Sequence, residues 1–338
     1  MALKIERVLK DFLLQDTKEN ILLLSRGLAL YTYDLITNQL VRLTKVSHTG
    51  LERFPGIYKI SKTLGILELF EARFLSDKNH FIVIINGGVY LLENGRFKLL
   101  FTLDNHGFLK GRGVLPNGLL IDSEIIYIGE YWRNKHRQTI HIYRYNMKSH
   151  ELLKIKIPWN TRHIHFIQKD PFTNKIFVGT GDTDNESVIA TIEPATFKFD
   201  VIGKGSQVWR AVSLVFTDNY IYWGTDGFIK KNNCGIVRMK RSEKALEILS
   251  LIDSTVFYSV KFKNNILFGK SGEFSEHLSI IFYDLSRSIV GKMMVLTKQK
   301  KRPHGIIRIG ISTDKVILSP INTKEFGAIS TLICSIKE

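Results

Sequence analysis

Apolar positions along this chain fall in short runs rich in Ile, Val, Tyr, Phe and Leu, broken by Asn, Asp, Gly and Lys. Such runs, bounded by turn formers, predict β-strands joined by tight connections, and the 3.6-residue spacing of an amphipathic helix is almost nowhere sustained. Aligning the runs exposes a repeat. One unit opens at Gly111 (GRGVLPNG, EIIYIGEY, QTIHIYRYN, HELLKIKIP), and others open at His163, Trp209, Val256 and His304, about 48 residues apart. Two further copies occupy residues 5–46 and 68–103.

A period of roughly 40–50 residues with four strands per unit is the pattern of a β-propeller. The expected fold is all-β, a single propeller domain over residues 1–338 with about seven four-stranded blades. Six blades remain possible if one N-terminal copy is only an edge. The last unit supplies three clear strands, so residues 4–10 are expected to complete it as an outer strand and close the ring. Closure is what an isolated sheet needs here, because it would otherwise expose two unpaired rims.

In such a blade the start of the first strand and the end of the second lie on one face, near the axis. First-strand starts carry Arg112, Arg162 with His163 and His165, Trp209 with Arg210, Tyr258 and His304. Second-strand ends carry Arg26, Glu130 with Tyr131, Asp182 with Asp184, Asp226 and Glu273. The candidate catalytic residues are therefore His163, His165, Asp182, Glu130 and Tyr131. The candidate substrate contacts are Arg112, Gln207, Trp209, Arg210, Asp226, Tyr258, Glu273, His304 and Arg26. His163 and His165 stand two apart on a strand and point to the same side. They could serve as a base and its orienting neighbour, ligate a metal, or cap and pack the strand. No cofactor or resident metal is expected. Gly179-Thr180-Gly181 allows a sharp bend that presents Asp182 to the centre. An arginine such as Arg210 suits a sugar carboxylate, which its planar fork can grip with two bonds. Trp132, Trp209 and Trp223 offer either stacking platforms for sugar rings or ordinary packing between blades.

Charge adds a second constraint. The formal net charge is +16 and the isoelectric point about 9.7, a field that gathers polyanions. Only residues 298–302 form a tight basic cluster, and no zinc-finger, helix-turn-helix or RNA-recognition pattern accompanies it, so nucleic acid is not the expected partner; the charge suits an acidic polysaccharide or anionic lipid, or serves only to keep the surface solvated. P-loop, dinucleotide and nucleophile-elbow motifs are absent from the sequence. Cys234 and Cys334 stand far apart, as buried reduced thiols would. The N-terminal residues lack a secretory pattern, and no run approaches the ~20 apolar residues of a membrane span. A soluble, cytoplasmic protein is expected.

The order of residues 162–187, 205–216 and 220–226 resembles that of sialidase-like propeller proteins of the BNR type, linked with polysaccharide metabolism; the likeness covers residues 111–227. The resemblance implies carbohydrate chemistry. Sialidases use an arginine triad and a tyrosine nucleophile, and Arg26, Arg112 and Arg210 would imitate the triad. Propeller polysaccharide lyases use histidine, tyrosine and arginine, which His163, His165, Tyr131 and Arg210 match. The sequence has no Ser-x-Asp-x-Gly-x-x-Trp box, so hydrolysis and elimination both stay open. The expectation is an enzyme acting on an acidic sugar or oligosaccharide at the axial pocket. The alternative is a non-catalytic propeller that binds a protein partner or an acidic glycan.

Overall fold

The computed structural model describes residues 1–45, 70–105, 113–300 and 304–337. Seven four-stranded antiparallel sheets follow one another along the chain. They form blades 1 to 6 (residues 13–45, 70–102, 119–156, 164–204, 215–252 and 256–297) and blade 7, built from residues 306–337 and the strand Ala2–Lys10. The first strands of blades 1 and 2, 3 and 4, 5 and 6, 6 and 7, and 7 and 1 touch one another, as around a common axis. No α-helix occurs among the described residues, and none of their helices is long and apolar enough to cross a membrane.

Blade 4 shows why these sequences make these sheets. Its two middle strands, Ile176–Thr180 and Val188–Ile192, are buried at every position, whereas the outer strand Phe199–Lys204 is buried at none. A sheet covered on both faces needs unbroken apolar middle strands, and only its outermost strand can alternate with polar residues. Turns follow local chemistry. In blade 2, Asn86-Gly87 (φ 47° and 75°) and Asn94-Gly95 (φ 49° and 74°) both take the left-handed region that a two-residue hairpin requires.

Seven hydrophobic clusters sit at the seven seams between adjacent blades. The seam that closes the ring packs Phe12, Leu14, Leu22, Leu24 and Tyr33 of blade 1 against Ile317 and Ile333 of blade 7. Closure is completed in the expected way: Ala2–Lys10 pairs antiparallel with Gly327–Lys337 as the outer strand of the last blade.

Two details depart from the sequence reading. The repeats at Gly111 and Trp209 do not open directly as strands. One-turn 3-10 helices, Pro116–Gly118 and Gln207–Trp209, come first, and the inner strands are the short Leu119–Asp122 and Val215–Phe216. Pro116 has no N–H to give to a ladder. Blade 1 also has an inner strand, Leu13–Lys18, that polar residues hid from the pattern. Those polar residues stand in for missing backbone partners. Ala72 N–H donates to Gln15 Oε1 at 3.2 Å, and Phe74 N–H donates to Asp16 Oδ2 at 3.0 Å.

The same substitution of side chain for backbone recurs around the axis. Asn117 Nδ2 of blade 3 donates to Val212 O (3.0 Å) and Phe257 O (3.2 Å), tying three blades together. Gln168 of blade 4 accepts from Leu214 N (2.7 Å) and donates to Leu214 O (3.2 Å) in blade 5. Arg308 of blade 7 reaches past blade 1 to grip Glu71 of blade 2 with two bonds of 2.9 and 3.1 Å, both residues being buried.

Glu71→Gln is expected to cost about 3–5 kcal/mol in urea unfolding, because it leaves the buried guanidinium without its counter-charge. Replacing both partners with Leu and Met should recover much of that loss, and a single variant as stable as the parent would contradict the account. A second prediction concerns Asp170, buried and gripped by Arg241 of the next blade at 2.5 and 3.0 Å. Burial pushes its carboxyl up, but the hydrogen bonds from Arg241 and Thr173 outweigh burial and hold it below its ordinary value. A carboxylate lowered by folding contributes stability that is present above its unfolded value, about 3.9, and lost as pH falls through the folded one. The stability gap between the protein and Asp170→Asn should therefore be widest above about pH 5 and shrink below about pH 4. A gap independent of pH would argue against this pairing.

Candidate functional site

The inner strand of blade 4 begins at Ile164, between the two histidines. Pairing with the second strand shifts between Ile164 and Phe166, so His165 sits in a bulge, yet both imidazoles still project to one side with ring centres 5.0 Å apart. Opposite them the second strand ends at Thr180. Gly181, at φ +140° and packed against Ser187, turns the chain and brings Asp182 to the histidines. Gly179, earlier in the same motif, serves another purpose, since the Phe166 ring occupies the space of any Cβ there.

The result is a compact polar cluster. His163 Nε2 lies 3.1 Å from His165 Nε2 and 3.5 Å from Asp182 Oδ1, and His165 Nε2 lies 3.9 Å from the same oxygen. Two guanidinium groups flank it. Arg162 Nη1 donates to Asp182 Oδ2 at 2.8 Å. Arg210 Nη2 reaches Asp182 Oδ1 at 3.2 Å and Asp226 Oδ2 at 3.0 Å, and its Nη1 donates to the Asp182 carbonyl at 3.1 Å. Gln207 braces this arginine, accepting from it at 3.5 Å and donating to Asp184 Oδ1 at 2.9 Å. Tyr131, held by paired backbone bonds to Gly113, lays its ring 4.1 Å from that of His163. Arg162, Arg210, Asp182 and Tyr131 are half-buried, whereas the histidines and Asp226 are buried beneath them.

Burial sets the electrostatics. Complete burial, aided by neighbouring His163 and Arg210, pushes His165 well below its ordinary value and keeps it neutral. Burial pushes Asp226 up to about 7, with Glu273 and Asp182 adding to the rise and Arg210 opposing it. For Asp182 burial also acts upward, but positively charged neighbours, Arg210 among them, outweigh it and hold the carboxylate ionised.

Of the residues singled out from sequence, His163, His165, Asp182, Tyr131, Arg210, Gln207 and Asp226 are brought together. Glu273 lies at the edge, accepting from Thr255 at 3.0 Å. Glu130 is adjacent in sequence but its carboxylate turns into the seam, where it accepts from Tyr143 OH (3.2 Å), Asn105 Nδ2 (3.1 Å) and His141 N (2.8 Å). Trp209 stacks on Trp223 at 5.8 Å as packing between blades 4 and 5. Tyr258 packs toward the seam of blades 6 and 7. His304 is exposed before the inner strand of blade 7, its carbonyl accepting from Asn322. Arg26 stands exposed over Phe12 on blade 1, 3.8 Å from Asp11. Arg112 lies outside the described residues. Two residues belong to the cluster that were not among the candidates. Arg162 stood directly before the histidines in the motif. Glu186, buried, accepts from Arg137 Nε at 2.7 Å and from the Arg162 backbone at 3.3 Å.

No family model matches the chain, and no curated protein does, so the sialidase-type likeness is not joined by a family match. Solved structures do match, sharing the fold at low identity. An oligogalacturonate lyase in complex with manganese has a TM-score of 0.64 at 8% identity, over 98% of this chain and 90% of that one. The WD40 β-propeller domain of Doa1 has a TM-score of 0.61 at 10% identity, over 99% and 98%. The extracellular domain of a one-component system from B. thetaiotaomicron has a TM-score of 0.60 at 12% identity; the match spans all of this chain but 40% of that longer one. These likenesses establish a β-propeller.

The placement of Glu130 yields a prediction. Glu130→Ala removes three hydrogen bonds from a buried seam and should lower the melting temperature by several degrees, on the order of 2 kcal/mol of stability. Binding by the remaining folded protein should be unchanged; a selective loss of ligand affinity would return Glu130 to the site.

Proposed function

We propose that the protein is an enzyme acting on a uronic-acid sugar by β-elimination at the polar cluster where blades 3, 4 and 5 meet. The observation that supports this reading is the convergence of Arg162 and Arg210 with Tyr131 over the buried imidazoles, while Asp182 and Asp226 are already bound to guanidinium groups. Hydrolysis of a glycosidic bond calls for a carboxylic acid and a carboxylate free to act on opposite sides of the bond. Carboxylates tied down by arginine suit that task poorly. Elimination needs positive charge at the sugar carboxylate and a base at the adjacent carbon. Arg162 is half-buried, and its Nε–H has no hydrogen-bond partner within the protein. In this reading the two guanidinium groups take the carboxylate, and Tyr131 removes the proton α to it. Tyr131 acts in its deprotonated form and passes the same proton on to O4, so the C5–H electron pair forms the C4–C5 double bond as the C4–O4 bond breaks. Oligogalacturonate, on which one fold neighbour acts, is a chain of such acids.

One observation favours the non-catalytic alternative: Arg210 of blade 5 bridges to Asp182 of blade 4, as a purely structural tie between blades would. Titration of the protein with oligogalacturonate, with a glucuronate oligosaccharide and with a neutral glucose oligosaccharide separates the two. An acidic sugar should bind and yield an ultraviolet-absorbing unsaturated product. Arg210→Ala should weaken binding tenfold or more, about 1.4 kcal/mol. Tyr131→Phe should keep affinity and lose at least ~100-fold in turnover. Binding without product leaves a glycan-binding propeller, and no preference for the acidic sugars sinks the sugar reading altogether.

A further inference from the structure

Each histidine of the cluster turns its Nδ1 to a backbone carbonyl. His165 Nδ1 lies 3.1 Å from Ala211 O, and His163 Nδ1 lies 3.5 Å from Trp132 O. A carbonyl can only accept, so both rings are set to carry their proton on Nδ1. Both Nε2 atoms then present lone pairs to each other across 3.1 Å, with the carboxylate oxygen Asp182 Oδ1 as the third corner. Three lone pairs facing one point in a buried site repel unless something positive lies between them. Either a shared extra proton or a metal ion meets that need.

Geometry chooses between these. A point equidistant from the three atoms, whose separations are 3.1, 3.5 and 3.9 Å, lies about 2.1 Å from each, the bond length of imidazole and carboxylate ligands to a first-row divalent ion. A shared proton joins only two atoms, whereas the carboxylate, which Arg162 and Arg210 also hold, completes a triangle of metal-ligand size. The outward hydrogen bonds of both rings to carbonyls, and of Asp182 to Arg162 and Arg210, are the kind of support that orients metal ligands. The guanidinium groups would oppose a cation by themselves, but both are already paired with carboxylates, Arg162 with Asp182 and Arg210 with Asp182 and Asp226.

We propose that His163, His165 and Asp182 form a mononuclear site for a divalent first-row transition-metal ion. Three protein donors leave coordination positions for water or an anionic oxygen, as in sites that bind a ligand at the metal rather than merely hold the fold together. The site stands on its own donors and does not depend on the sugar reading.

The test uses the full chain, stripped with a chelator and free of any sugar, titrated calorimetrically with Mn(II), Zn(II) and Co(II) in turn. At least one ion should bind with one-to-one stoichiometry and raise the melting temperature. His163→Ala and His165→Ala, checked for folding by circular dichroism, should lose 100-fold or more in affinity and Asp182→Asn at least tenfold. Asp184→Asn, at a nearby carboxylate outside the triangle, should bind as the parent does. Should the histidine variants fail to fold, the Co(II) protein itself decides. Its proton NMR spectrum should hold two strongly shifted, exchangeable imidazole N–H signals, one per ligand ring. No one-to-one binding of any of the three ions, affinity unchanged in folded histidine variants, or a Co(II) spectrum without those signals would each overturn the site. Because no sugar is present, such a failure says nothing about uronate binding.

Discussion

The constraint on which this structure depends is the unpaired inner edge of each blade. Four-stranded sheets packed face to face bury their apolar surfaces, but the first strand of every blade has backbone donors and acceptors on its axial side with no strand to meet them. Buried and unsatisfied, each such group costs about 1–3 kcal/mol. The protein answers with side chains: Gln15, Asp16, Asn117, Gln168 and Arg308 reach across to the backbone of other blades. The axis is thus a lattice of amides and ion pairs rather than an apolar core, and the polar content of the inner strands follows from it.

That lattice also explains where chemistry can gather. Most of the axis is consumed by side chains that satisfy backbone groups of other blades. At the junction of blades 3, 4 and 5 the balance differs, because two imidazoles, two carboxylates and two guanidinium groups crowd together, joined by bonds that leave donors over. The bulge at His165 and the left-handed turn at Gly181 create this surplus. One lifts an imidazole out of regular strand pairing, and the other swings a carboxylate over it. The remainder of the rim, with Arg26 over Phe12 and His304 exposed beside blade 7, carries polar residues that do not converge.

How much of this the chain revealed depended on which residues were asked. The repeats at His163 and Val256 run from strand to strand as their alternation says, and residues 4–10 close the ring. The inner strand Leu13–Lys18 escaped because Gln15 and Asp16, which break the apolar pattern, are there to bond a neighbouring blade. His163, His165 and Asp182 were legible as a group because a two-residue spacing and a glycine turn are local. Glu130 was misplaced beside them because a residue at the end of a strand can turn to either face. Its carboxylate went to the buried Tyr143 hydroxyl instead of the polar cluster.

The repeat in the chain was enough to read a propeller of about seven four-stranded blades, most of its strands and its closing strand. These rest on the period of the hydrophobic pattern and on turn chemistry, both short-range. Only the tertiary structure decided which polar residues meet. The partners of Arg210 come from two different blades, and Arg308 finds Glu71 across 237 positions of chain. Such pairings depend on the angle between blades and on the direction each side chain takes from its strand, which no spacing along the chain records.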